Sequence, residues 1–154
     1  MDAAGPELSA IINDILHHAF GTRWTVRLDT TRPLKSDPSR TEEVFSVRVI
    51  DGRTGIERDA KSNSGGAKVP ISDAISMALT VLSCQRNAAG RPTMVRDESG
   101  ASLDAENAKA YVTMLRRAAE LVGAEHVLLV SHNPATWALC DSRIRVGDGA
   151  VHVE

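Results

Sequence analysis

The stretch PTMVRDESGASLDAENAKAYV, residues 92–112, decides how the second half of this chain is read. A short apolar run at 93–95 is followed by Asp97 and Glu98 side by side, then by a Ser/Gly/Ala turn. Adjacent acids just past a buried strand need a counter-charge, a metal or a proton, because an unpaired carboxylate is costly away from water. Asp104 suits a helix N-cap, where its carboxylate accepts from free amides of the first turn. Ala108, Tyr111, Val112, Leu115 and Val122 then recur at helical spacing.

Working outward, HVLLVS at 126–131 shows no polar alternation, the pattern of a strand covered on both faces in a parallel sheet. A short helix is expected from Pro134, and SRIRVGDGAVHV at 142–153 reads as a closing hairpin. Upstream, Ile71, Ile75, Ala78, Leu79 and Leu82 predict a helix over 67–87, with Pro70 in its first turn. SNSGGAK at 62–68 stands at its start. Paired glycines there allow close backbone approach, and free N–H groups with the helix dipole favour an anion; a flexible turn explains them equally well. Helix, strand, helix, strand, helix is the order of a parallel α/β layer, in which ligands bind at the carboxyl ends of the strands. Asp97, Glu98, Ser131 and His132 all fall at such ends and form one candidate site. Taken singly, the acids could be an exposed loop start and His132 a structural histidine.

The first half reads differently. PELSAIINDILHHAFG at 6–21 carries Leu8, Ile11, Ile12, Ile15 and Leu16 at helical spacing, with Gly21 as a stop. RWTVRLDT at 23–30 and EVFSVRVI at 43–50 alternate as half-buried strands, separated by a polar, proline-containing segment at 31–42 expected to be a mobile loop. DGRTG turns the second strand into IERDA at 56–60, an antiparallel hairpin. The fold class is therefore α/β: antiparallel strands, a parallel layer with helices, and a C-terminal hairpin. The expected organisation is a single domain over 1–154, with an N-terminal helix at 1–21, antiparallel strands and loop at 22–62, and the site region at 63–154.

Composition narrows the function. The chain has 154 residues and a formal charge of -2, so whole-chain electrostatic capture of nucleic acid is disfavoured. Aromatics are 3%, too few for base-stacking platforms. Cys84 and Cys140 stand far apart and are expected to be two buried reduced thiols. The N-terminus has no signal-peptide core, and no apolar run is read as spanning a bilayer; a cytoplasmic protein without membrane contact is the expectation.

In this order, SNSGGAK, a helix, PTMVRDESGASLD, another helix and VLLVSHNP resemble the C-terminal lobe of an ABC-type ATPase head. The likeness is to the P-loop NTPase-like heads of SMC and SbcC-like ATPases of DNA repair and recombination. SGGAK is similar to the signature motif, TMVRDE to the Walker B strand, SGASLD to the D-loop and His132 to the switch histidine. The resemblance implies ATP and Mg2+ as cofactors. It implies that Asp97 holds the metal, Glu98 orients the attacking water, and His132 contacts the γ-phosphate. Ser64, Gly65 and Gly66 would face an ATP carried by a second head, and Ser102 and Asp104 would link the two sites. The N-terminal helix would be the place where a coiled coil re-enters the head. Asn63, Ala67 and Arg96 depart from the family pattern, Arg96 replacing an apolar residue directly before Asp97.

A P-loop requires G-x-x-x-x-G-K-[ST], yet none of the eleven glycines is followed by lysine. The expectation is half a head, which needs a P-loop-bearing N-terminal lobe in the same or a separate chain, and a second head. DNA and a nuclease are partners by family resemblance only. The isolated chain is expected to be inactive as an ATPase. Two alternatives stand beside this reading: a non-catalytic binding or dimerisation module of the same fold, and a metal-dependent phosphoesterase using Asp97, Glu98 and His132.

Overall fold

The computed structural model describes residues 4–33, 40–62, 65–87, 90–97, 103–147 and 149–154. The first helix, α1 (Ala4–Phe20), turns Leu8, Ile12, Ile15 and Leu16 inward. A 3-10 turn at Gly21–Arg23 leads into β1 (Trp24–Pro33), which pairs antiparallel with β2 (Thr41–Asp51). β2 in turn pairs with the short β3 (Glu57–Asp59), giving the order β1-β2-β3. The inner face of this sheet presents Trp24, Val26, Leu28 and Val49 to α1.

Polar side chains of α1 satisfy the free edge of β1. Asn13 accepts from Val26 N at 2.7 Å and donates to Val26 O at 2.8 Å, while Ser9 Oγ accepts from Leu28 N at 3.1 Å. Buried strand edges need such partners, so these two polar positions on the sheet-facing side of the helix are explained. In the β2–β3 turn, Gly52 N donates to Arg23 O at 2.8 Å. A Cβ at Gly52 would collide with the Thr22 carbonyl oxygen, so only glycine allows this close approach.

The second half begins with α2 (Gly65–Arg86), followed by β4 (Thr93–Asp97), α3 (Ala105–Val122), β5 (His126–Val130) and the short α4 (Pro134–Trp137). β4 and β5 run parallel, as the unalternating apolar run at 126–131 implied. Asp104 caps α3, accepting from Asn107 N, and Gly123 ends the helix in the left-handed conformation at φ 64°. β6 (Ile144–Gly147) and β7 (Ala150–Val153) form a separate two-stranded ribbon. The core is one cluster in which α1, α2 and α3 pack on one another and on the inner faces of the strands.

Five expectations are corrected. The 31–42 segment is strand at both ends: past a bulge between Asp29 and Thr31, the ladder continues through Thr31–Glu43 and Arg32–Glu42 to Pro33–Thr41. Pro33 is tolerated because β1 is the edge strand of its sheet. α2 starts at Gly65 rather than at 67, which puts Pro70 beyond the first turn, where it deprives the Gly66 carbonyl of a helical partner. Its ring is buried, so apolar packing offsets that lost bond.

The thiols are free, but Cys84 is only half-buried and Cys140 is exposed. One helix, over Ala67–Arg86, does reach membrane-crossing length and apolarity; its inward face is packed in the core against α1 and α3. Finally, the β4–β5 pair is covered on one face only. Met94, Val127 and Leu129 face the core, while Val95, Leu128 and Val130 remain 63%, 48% and 49% exposed.

Candidate functional site

The parallel register sets Asp97 opposite Val130, so β4 and β5 end together. Asp97 is the last residue of β4, and Ser131 and His132 follow β5 directly. The strand ends therefore bring Asp97 and His132 to one side of the molecule, and both are exposed. Glu98, Ser64 and Ser102 lie outside the described residues.

Successive side chains of a strand point to opposite faces, and this resolves the place of Arg96. Asp97 shares its face with Val95, whereas Arg96 turns toward α2, donating from Nη1 to Ser76 Oγ at 3.0 Å. Its charge also acts on Asp73, one turn earlier on α2. Burial raises the Asp73 carboxyl above the usual carboxylate range, and Arg96 partly opposes that shift. The arginine beside Asp97 is thus engaged with a helix on the far side of the strand.

Gly65 and Gly66 open α2, as the sequence suggested for an amide-rich helix start. Ser76, where α2 meets Arg96, is roughly 16 Å further along the axis at the normal helical rise. The contact between α2 and β4 is therefore made by the middle of the helix, at a distance from its glycine end.

Asp104 is occupied locally. Its Oδ1 accepts from Asn107 N at 2.9 Å and its Oδ2 from Asn107 Nδ2 at 3.2 Å. Sequence reasoning anticipated the cap but missed the residue that ties this segment to the histidine loop. Asn133 is 9% exposed; its Nδ2 donates to the Leu103 carbonyl at 2.7 Å, and its Oδ1 accepts from Ala135 N at 3.0 Å. Ser131 contributes from the other side of His132, accepting from Asn133 N at its Oγ and from Trp137 Nε1 at its carbonyl. The Asn-Pro dipeptide at 133–134 carried a signal for a capped helix start, with asparagine at N-cap and proline at N1.

The site residues can be matched to a magnesium ion. Mg2+ is commonly held by one or two carboxylates, the rest of its octahedron being water and phosphate oxygen. An exposed Asp97 whose neighbouring cation faces away fits that requirement. Among the described residues, no three His, Cys, Asp or Glu side chains gather into a metal cage.

No family model matches the sequence, and no curated protein matches it either. Solved structures do match. One is a chain from work on the ATP-driven dimerisation and DNA-stimulated activation of SMC ATPases, 16% identical, with a TM-score of 0.66 over 97% of this chain and 83% of that one. The SMC head domain from Thermotoga maritima is also 16% identical, with a TM-score of 0.64 over 98% of this chain and 48% of that one. An SMC head bound to the C-winged helix domain of ScpA is 17% identical, with a TM-score of 0.59 over 99% and 42%. The fold is that of SMC ATPase head domains, matched along nearly the whole chain. This chain spans less than half of the second and third of those structures.

Proposed function

We propose that this chain is the C-terminal part of an SMC/SbcC-like ATPase head, completed by a P-loop-bearing lobe in the same or a separate polypeptide. The observation that carries the reading is the parallel β4–β5 register, which sends Asp97 and His132 off the same sheet end in a fold shared with SMC heads. The missing G-K-[ST] sequence supports the need for another lobe. So do the apolar faces left open on β4–β5 and on the closing ribbon, where Ile144, Val146, Val151 and Val153 are 59% to 76% exposed.

Phosphoryl transfer relies on positioning and charge stabilisation more than on covalent chemistry, and each residue takes a role of that kind. Asp97 would hold Mg2+, and the ion would supply positive charge to neutralise phosphate oxygens. Glu98 accepts a hydrogen bond from the attacking water and orients it. His132 donates to the γ-phosphate as negative charge shifts onto its oxygens. Gly65 and Gly66 at the start of α2, with Ser64 before them in sequence, would present backbone and hydroxyl donors to the γ-phosphate of a second head's ATP. Ser102 and Asp104 lie across that dimer from their counterparts. Coupling to DNA, and to a nuclease, belongs to the same proposal through the SMC and SbcC-like resemblance.

The purified chain is expected to show no meaningful ATP turnover. Robust hydrolysis that disappears in Glu98→Gln would overturn the half-head reading. The intact mass in the native cell, read with an antibody to this segment, separates the two versions of it. A much larger species means one polypeptide carries both lobes, and a species near 16.5 kDa means the P-loop is on another chain. The open apolar faces also favour a second reading, a docking module of the same fold without catalysis. A native-size chain whose partner-bound form still fails to bind ATP would decide for it.

A further inference from the structure

We propose that Asn133 is a positioning residue that couples the His132 loop to the segment entering α3, so that the two move as one. The inference rests on the roles given above to His132 and to the residues around Asp104. Asn133 is a nearly buried amide joining two loops that are 30 residues apart in sequence, through the 2.7 Å bond from Nδ2 to the Leu103 carbonyl. Its Oδ1 is used separately, as the cap of α4. One side chain thus fixes the loop after β5 at one end and the residue before the α3 cap at the other.

His132 sits between two held neighbours. Ser131 is fastened by its hydroxyl to Asn133 N at 3.1 Å and by its carbonyl to Trp137 Nε1 at 2.5 Å. Asn133 is fastened to Leu103, and Leu103 precedes the Asp104 carboxylate that caps α3. A displacement of the 103–104 segment therefore either drags the His132 backbone with it or strands a buried amide donor, which is the costlier outcome. The two functions of Asn133 can be separated chemically. Serine and aspartate both retain an acceptor for the α4 cap, but neither has a donor that reaches Leu103.

The test uses the chain alone, without nucleotide, so a failed bridge is distinguishable from a failed ATPase reading. In Asn133→Ser and Asn133→Asp, exchange of the Asn107 and Ala108 amides, which donate to Asp104, is expected to rise about tenfold, the effect of losing one buried hydrogen bond, with amides of α1 and β1 unchanged. Unchanged exchange at Asn107 and Ala108, or an equal rise everywhere, overturns the proposal. A second measurement leaves Asn133 in place, so it holds even if those variants unfold. Asp104→Ala is expected to shift the His132 ring resonances in a chain that keeps Asn133. Resonances that stay where they were overturn the coupling.

Discussion

The two halves of the molecule solve burial in opposite ways. In the first half, α1 closes over the β1–β2–β3 sheet and supplies Asn13 and Ser9 to the edge of β1, so most of the apolar surface and that strand edge are satisfied within the chain, with Phe45 and Ile56 left 71% and 46% exposed. In the second half, β4–β5 is covered by helices on one side only, and the β6–β7 ribbon leaves every residue exposed. A domain that needed nothing else would not be expected to leave valines, a leucine and an isoleucine on two separate strand pairs facing water. The difference separates a frame buried largely within the chain from a surface left open to water.

The strongest way to break that contrast is in the frame. Ile15 is fully buried on α1. Ile15→Ala is expected to cost about 2–5 kcal/mol in a urea melt, from lost transfer energy plus the residual cavity. A loss below about 0.5 kcal/mol, the range of ordinary surface changes, would mean that the first half is not the rigid part. Next in size comes the α3 cap. Asp104→Ala is expected to cost about 1 kcal/mol, since the first-turn amide of Asn107 loses its acceptor. Unchanged stability would show that the cap geometry carries no weight in solution.

Much of this arrangement was legible in the residues. The Asp104 cap, the parallel strand after α3 and the paired glycines near a helix start each follow from local chemistry, although one face of that strand is open and the helix begins at the glycines rather than after them. The ends of the β1–β2 hairpin were not legible, because there the ladder is held by cross-strand bonds between polar residues with no apolar alternation to mark it. The direction of Arg96 was also hidden. Strand alternation separates it from Asp97, but only the placement of α2 shows that Ser76 is there to receive it. Asn133 escaped for a related reason: an Asn-Pro dipeptide announces a cap, while a bond to a carbonyl on another loop leaves no trace in sequence spacing. The roles proposed for Asp97, Glu98 and His132 come from resemblance, since spacing alone places an acid pair and a histidine at strand ends without assigning them a reaction.

Asp73 sharpens the comparison from the α2 side. Its carboxyl is raised chiefly by burial, with Arg96 lowering it in part, so the folded chain disfavours the ionised form. A group whose folded pKa is raised contributes stability below its unfolded pKa and loses it as pH rises through the folded value. Asp73→Asn should therefore raise the Tm at neutral pH, and the gain should vanish in acid where the native carboxyl is already neutral. Parallel Tm–pH curves for the two proteins would sink this account.

The smallest effect on stability is expected on the open ribbon, and that smallness is itself informative. Val146 and Val151 are opposite one another in the β6–β7 register and are 76% and 65% exposed. Removing their methyl groups takes little away from the chain by itself, so Val146→Ser with Val151→Ser should change the unfolding free energy by no more than about 0.5 kcal/mol. The same pair does bear on association, because apolar area that stays wet in the lone chain is what a second surface would bury. The unaltered chain is expected to self-associate at high concentration by light scattering, and the double variant to associate less. A chain that is monomeric with and without the substitutions would show that the ribbon is tolerated in water, and the distinction between the two halves would then rest on β4–β5 alone.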